Sequence, residues 1–143
     1  MLNIGFIGCG GIARHHANQL AQLRNARIVA CADASRAAAR SFAADFGHGG
    51  AQVFTDHRQM LRLDAVDAVW VCTPTFLHAG PAIDTAKAGK HVFCEKPIAR
   101  NSEEAARMNE AAEKAGIVHY LNHEYRRCPA IALAKQLIDE GRV

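Results

Sequence analysis

Two stretches, NIGFIG at 3–8 and VDAVWVC at 66–72, are almost continuously apolar. A strand with one wet face alternates apolar and polar residues, so runs like these belong to strands covered on both faces. Helices packed on both sides of a parallel sheet meet that condition, and the rest of the chain supplies them. Strand-like runs cover Leu2–Gly8, Arg27–Ala32, Gln52–Phe54, Ala68–Cys72, His91–Cys94 and Ile117–Leu121. Helix-like runs lie between them at 11–23, 35–46, 56–62, 76–88 and 102–115, and a last one covers 129–140. This alternation with short links predicts a doubly wound parallel α/β sheet with helices on both faces.

Local chemistry supports the boundaries. Ala38, Phe42 and Phe46 repeat every four residues on one helix face, and Gly47 follows as a stop. Asn101 and Glu104 have the spacing of a capping box at the start of 102–115, and Gly116 ends that helix. Pro129 suits the first turn of the final helix.

A length of 143 residues gives one domain with a real core, and 50% hydrophobic residues argue against disorder. A net charge of +3, with no basic cluster, argues against a nucleic-acid partner. The five cysteines (9, 31, 72, 94 and 128) form no CxxC pair, so no metal site is expected. Their odd number and the lack of a signal-peptide pattern point to a reducing compartment, the cytoplasm. No apolar run is long enough to span a bilayer.

The first strand runs into Gly8-x-Gly10-x-x-Ala13, which opens the first helix. Gly8 allows the tight turn, Gly10 lets the backbone approach a diphosphate, and Ala13 is small enough for helix-on-sheet packing. The free N–H groups at the helix start then bind phosphate. Asp33, 23 residues after Gly10, ends the second strand where an acid meets the adenosine ribose hydroxyls. That acid favours NAD over NADP, while Arg36 offers a cation to adenine or to a phosphate and keeps NADP open. His15 and His16 follow the loop and are expected to be solvated or beside adenine, with no catalytic part.

Strand four ends in VCTPT and strand five in FCEKP. In an open α/β sheet, ligands sit beyond the carboxyl ends of strands, so both polar punctuations fall on the ligand edge. Each proline ends strand pairing, and Lys96–Pro97 is the favoured candidate for a cis bond. Lys96 on that edge is a candidate to hold a substrate hydroxyl or act as acid and base. An ordinary lysine has a pKa of about 10.4, so proton abstraction would need burial or a cationic neighbour. Glu95 would contact cofactor or hold the turn. On residue chemistry alone, a surface Glu–Lys pair fits as well.

The set GFIGCGGIARHH, ADAS, CTPTFLH, AGKHVFCEKPIA and EYRRCPA, in that order along essentially the whole chain, closely resembles the glucose–fructose oxidoreductase, inositol dehydrogenase and rhizopine-catabolism family. AGKHVFCEKP is its most specific piece. The resemblance implies an NAD(P)-dependent oxidoreductase acting on a CH–OH group of a sugar or polyol. It implies that Gly8, Gly10, Gly11 and Ile12 line the diphosphate and that Asp33 meets the adenosine ribose. Cys72, Thr73, Pro74 and His78 would lie along the nicotinamide half, and Glu95 near the nicotinamide ribose. Lys96 matches the active-site lysine, in contact with the cofactor as well as near the substrate hydroxyl, and Arg126 matches an arginine on the substrate side, next to Glu124. Two positions depart from the pattern: Thr75 and Glu124 stand where asparagine is frequent. The carboxylate of Glu124 changes the charge of the pocket, so sugar preference is not carried over.

The family pairs such a domain with a second α/β domain that supplies an Asp/His pair for proton transfer. The resemblance therefore implies that residues 1–121 form the dinucleotide-binding domain and that 122–143 lead toward a substrate domain. On that expectation the 143 residues bind dinucleotide but barely turn over, and the intact protein is a homo-oligomer. Two other functions share the scaffold: a non-catalytic dinucleotide sensor, and a hydrolase or epimerase that oxidises its substrate transiently.

Overall fold

The computed structural model describes residues 1–143. Six strands form one sheet: β1 (Leu2–Ile7), β2 (Ala26–Ala32), β3 (Gln52–Phe54), β4 (Ala68–Val71), β5 (His91–Glu95) and β6 (His119–Asn122). Their order is β3-β2-β1-β4-β5-β6, and every pairing is parallel. The helices are α1 (Gly11–Leu20), α2 (Arg36–Phe46), α3 (His57–Leu61), α4 (Ala79–Lys87), α5 (Ser102–Ala115) and α6 (Pro129–Asp139). This is the doubly wound sheet that the apolar runs require.

The two covered faces are visible as two separate cores. Ile7, Val69, Val71 and Cys94 point to one face, where Met60 of α3, Ala82 of α4 and Met108 of α5 cover them. Ile4, Phe6 and Cys31 point to the other, under Ala13, Ala17 and Leu20 of α1 and Ala39 and Phe42 of α2. A row of aromatics crosses this second face. Ring centroids step from Phe42 to Phe6 (5.0 Å), Trp70 (5.5 Å), Phe93 (4.0 Å) and Tyr120 (5.2 Å).

Several expected boundaries shift for physical reasons. The run 76–88 is two pieces, a 3-10 turn at Thr75–Leu77 and then α4. Gly47 ends α2 with φ −84°, so it is not a left-handed stop. A Cβ there would lie 2.4 Å from Ala51 Cβ and 2.6 Å from the Ala43 carbonyl oxygen, so close approach demands the glycine. Gly116 does adopt the left-handed cap, at φ 64°. The capping box of α5 is half formed. Asn101 Oδ1 accepts from the Glu104 N–H at 2.9 Å, but the Glu104 carboxylate accepts from the Arg100 N–H and guanidinium instead of from Asn101. Arginine simply offers the better donors. No helix is long and apolar enough to cross a membrane.

Candidate functional site

The parallel register brings the carboxyl ends of the inner strands to one edge. Ile7 pairs with Val71, Val71 with Cys94, and Glu95 with Asn122. Everything that leaves these ends therefore meets above the sheet.

The glycine loop leaves β1 through Gly8, at φ +86°. An added Cβ would stand 2.8 Å from the Cys72 carbonyl and the Thr73 nitrogen. Gly8 is thus fixed twice, by its left-handed backbone and by contact with the loop after β4. Gly10 and Gly11 differ: a Cβ on either meets nothing within 4 Å. They face open space where a ligand's phosphates can approach. No side chain caps the start of α1, so its first N–H groups are left for a ligand. Asp33 ties this loop to β2. Its Oδ2 accepts from the Cys9 N–H and its Oδ1 from the Ser35 N–H, both at 2.8 Å. Each oxygen keeps a second lone-pair direction for a hydroxyl.

These groups wall a cavity of about 950 Å³. Gly8, Gly10, Gly11, Ile12, Asp33, Cys72, Thr73 and Pro74 all line it. Thr73 Oγ1 is buried in this wall without a hydrogen-bond partner. A buried hydroxyl left unpaired is costly, and a polar ligand would relieve it. Open glycines, an uncapped helix start and this orphaned hydroxyl together fit a dinucleotide. The cavity continues along Thr55, His57 and Arg58 and along Phe76, Leu77, Arg100 and Arg107. Sequence reasoning passed over His57, Arg58, Arg100 and Arg107. His57, Arg58 and Arg100 come just after β3 and β5, where the strand-end rule applied to every strand would have found them, whereas Arg107 lies inside α5 and reaches the cavity through the packing of that helix.

Four of the residues expected to bind cofactor, Arg36, His78, Glu95 and Lys96, lie outside this wall. Arg36 is the first residue of α2 and is exposed. His78 is 1% exposed, with Nδ1 2.9 Å from the Pro97 carbonyl oxygen and Nε2 2.7 Å from that of Thr73. It joins the two proline loops to each other. Glu95 is buried at the end of β5 and its carboxylate is turned to protein groups. Its Oε1 lies 2.5 Å from His16 Nε2 and accepts from Asn122 Nδ2 at 2.5 Å, and its Oε2 accepts from the Lys96 N–H at 3.2 Å. His16 is expected in solvent or beside adenine, but it is buried against Glu95 and does not line the cavity. His16 is 9% exposed and stacks on Trp70 at 4.7 Å. A single sequence gives no signal for this, because Glu95 is 79 residues away. His15 is exposed, as expected.

Lys96 stands at the rim of the same edge, about half exposed, after a cis Lys96–Pro97 bond. Its Nζ is 3.8 Å from Oε1 of Glu124, itself half exposed. The sheet thus brings these two candidates together across 28 residues of sequence. Arg126 lies two residues on in the exposed 3-10 turn Glu124–Arg127. The cationic neighbour that a proton-abstracting lysine would need is absent from this contact. A carboxylate stands there instead, which suits Lys96 to donate to a hydroxyl oxygen.

Cys72 and Cys94 flank this corner as neutral thiols. Burial, and then the nearby charge of Glu95, raise both, Cys94 to about 12. No group of three or more His, Cys, Asp or Glu could hold a metal ion.

Comparison with known proteins agrees with this geometry. A family model described as an oxidoreductase family with an NAD-binding Rossmann fold matches residues 2–123. Levoglucosan dehydrogenase of Pseudarthrobacter phenanthrenivorans is 37% identical over 154 residues, covering 99% of this chain and 38% of that protein. Glucose-6-phosphate 3-dehydrogenase of Bacillus subtilis is 36% identical, covering 96% of this chain and 38% of its own length. Among solved structures, the WlbA dehydrogenase from Bordetella pertussis in complex with NADH and UDP-GlcNAcA superposes with a TM-score of 0.91 at 34% identity. It covers 99% of this chain and 42% of that one. Levoglucosan dehydrogenase in complex with NADH and levoglucosan gives a TM-score of 0.86 at 36% identity, over 98% of this chain and 40% of that one. The chain therefore spans about two fifths of the length of the curated relatives it matches.

Proposed function

The chain belongs to this NAD-binding Rossmann-fold oxidoreductase family, and from that premise we propose that it is the cofactor-binding part of an enzyme oxidising a CH–OH group of a sugar or polyol. The observation that carries the reading is the shared edge. The glycine loop with its cavity and the Lys96–Glu124 pair leave the same ends of one parallel sheet. Gly8, Gly10, Gly11 and Ile12 would seat the diphosphate, Asp33 the adenosine ribose, and Cys72, Thr73 and Pro74 the wall beyond it. When bound, the dinucleotide supplies the two-electron acceptor.

The residues of this chain handle the substrate oxygen. Lys96 Nζ donates to the substrate hydroxyl oxygen and stabilises the negative charge that grows there as the proton passes to solvent or to a base of the full-length protein. Glu124, 3.8 Å away, balances the charge of Lys96 and accepts from a neighbouring hydroxyl. Arg126 lies on the same substrate side. In this reading residues 1–121 are the dinucleotide-binding domain and 122–143 lead on to further structure. The near absence of buried side chains in α6 supports that division.

Turnover of neutral sugars and polyols with NAD⁺ and NADP⁺ by the full-length protein tests the reading. Lys96→Ala is expected to lower kcat by at least about 100-fold, the scale of general acid–base assistance, with dinucleotide affinity kept. Full activity in that variant would refute the assignment of Lys96. Tight NADH binding without turnover on a broad panel would favour a sensor, and product without accumulated NADH would favour transient oxidation.

A further inference from the structure

We propose that His16 is a positioning residue for Lys96, acting through Glu95, so that one helix sets both the dinucleotide's seat and the place of the lysine. The inference rests on the oxidoreductase reading above. Helix α1 starts at the glycine loop, and His16 lies in its second turn. The imidazole lies on Trp70 with an interplanar angle of 21°, and Phe93 meets it edge-on at 6.2 Å. In this stack the ring's Nε2 lies 2.5 Å from Glu95 Oε1. Asn122 Nδ2 donates to the same oxygen at 2.5 Å from β6 and lies 3.3 Å from His16 Nε2. The second oxygen takes the Lys96 N–H at 3.2 Å. Three elements, α1, β5 and β6, therefore meet on one carboxylate that is 4% exposed. A carboxylate so buried is tolerable only while its partners hold it.

Lys96 needs such help. Its ammonium sits on a flexible four-carbon stem, and the one ion pair it makes is the half-exposed contact with Glu124. What fixes the lysine is its backbone, and that backbone is held by Glu95. The dinucleotide's seat has anchors of its own: the Cys9–Asp33 bond and the contact of Gly8 with Cys72. Losing the His16–Glu95 bond should therefore displace the lysine and spare the seat. This separates a positioning role from a merely structural one, which would weaken both together.

The test uses the full-length protein with His16→Phe, which keeps the stack on Trp70 and removes the bond, and His16→Gln, whose amide can still donate to Glu95. His16→Phe is expected to lower kcat by about tenfold or more, as misplacement of a reacting group does. The Kd for NADH should stay within about threefold, and His16→Gln should recover most of the rate. Asn122→Ala removes the second donor on the same oxygen and repeats the test if His16→Phe does not fold. Unchanged kcat in a folded His16→Phe protein, or kcat and NADH affinity falling in parallel without rescue by glutamine, would overturn the proposal. If the wild type turns over nothing on the panel, the oxidoreductase reading has failed. The positioning claim is then read from amide hydrogen exchange at Lys96, expected about tenfold faster in His16→Phe than in His16→Gln. Equal exchange in the two variants would sink it.

Discussion

Gly8 and Gly10 are two residues apart and do opposite work. Gly8 is held in a left-handed conformation against the backbone of Cys72 and Thr73. Gly8→Ala should cost at least about 1–2 kcal/mol from backbone strain alone, seen as a lower urea midpoint. Gly10 has an extended φ of −77° and open space beside it. Gly10→Val should leave the urea midpoint nearly unchanged and abolish NADH binding in a fluorescence titration. The spacing GxGxxA assigns the turn to Gly8 and the ligand to Gly10, and the fold adds what the motif cannot show, the contact of Gly8 with Cys72 and Thr73 after β4. The cysteines make a second pair of classes. Cys9, Cys31, Cys72 and Cys94 are buried, while Cys128 is partly exposed. Burial raises the thiols of Cys72 and Cys94, so they stay protonated and unreactive at pH 8. Brief treatment of the native protein with iodoacetamide should label Cys128 alone, and unfolding in guanidinium should expose all five to mass spectrometry.

Helix α5 shows how far local rules reach. Its start was legible, because an asparagine before two acids is a strong cap, and Asn101 does bond the Glu104 N–H. Asn101→Ala should cost about 1 kcal/mol in thermal or denaturant unfolding. The second half of the box does not form, since Arg100, two residues before the helix, claims Glu104. Those hydrogen bonds hold the Glu104 carboxyl below its ordinary value. A carboxyl lowered on folding adds stability above its unfolded pKa of about 4.3, and that stability fades as pH falls through the folded value. Glu104→Gln should therefore flatten the loss of stability below about pH 4, measured as urea midpoints against pH. The sequence predicts one helix over 76–88, but the structure breaks it after Leu77. Phe76 and Leu77 are well exposed, and His78 sits at the break to hold Thr73 and Pro97. Periodicity cannot show a residue recruited by a loop 19 positions away.

At the scale of the whole molecule, two cores clamp one sheet, and the cavity lies across its carboxyl edge. A dinucleotide seated there binds the folded state only. NADH at 100 times its Kd should raise unfolding stability by about 2.7 kcal/mol, and Gly10→Val should lose that gain, as read by calorimetry. The sequence by itself determined the order of strands and helices, the doubly wound sheet and the edge on which ligands fall. It could do so because apolar runs, caps and glycine turns act through neighbours a few residues apart, where one chain's pattern is complete. It also brought Asp33 and Lys96 forward, since both sit just past strand ends. Tertiary structure alone decided that Glu95 turns inward to His16 and Asn122, that His78 joins two loops, and that Lys96 meets Glu124. These pairings depend on strand register and on how α1 packs across Trp70, so burial and charge are settled between residues that no local pattern connects.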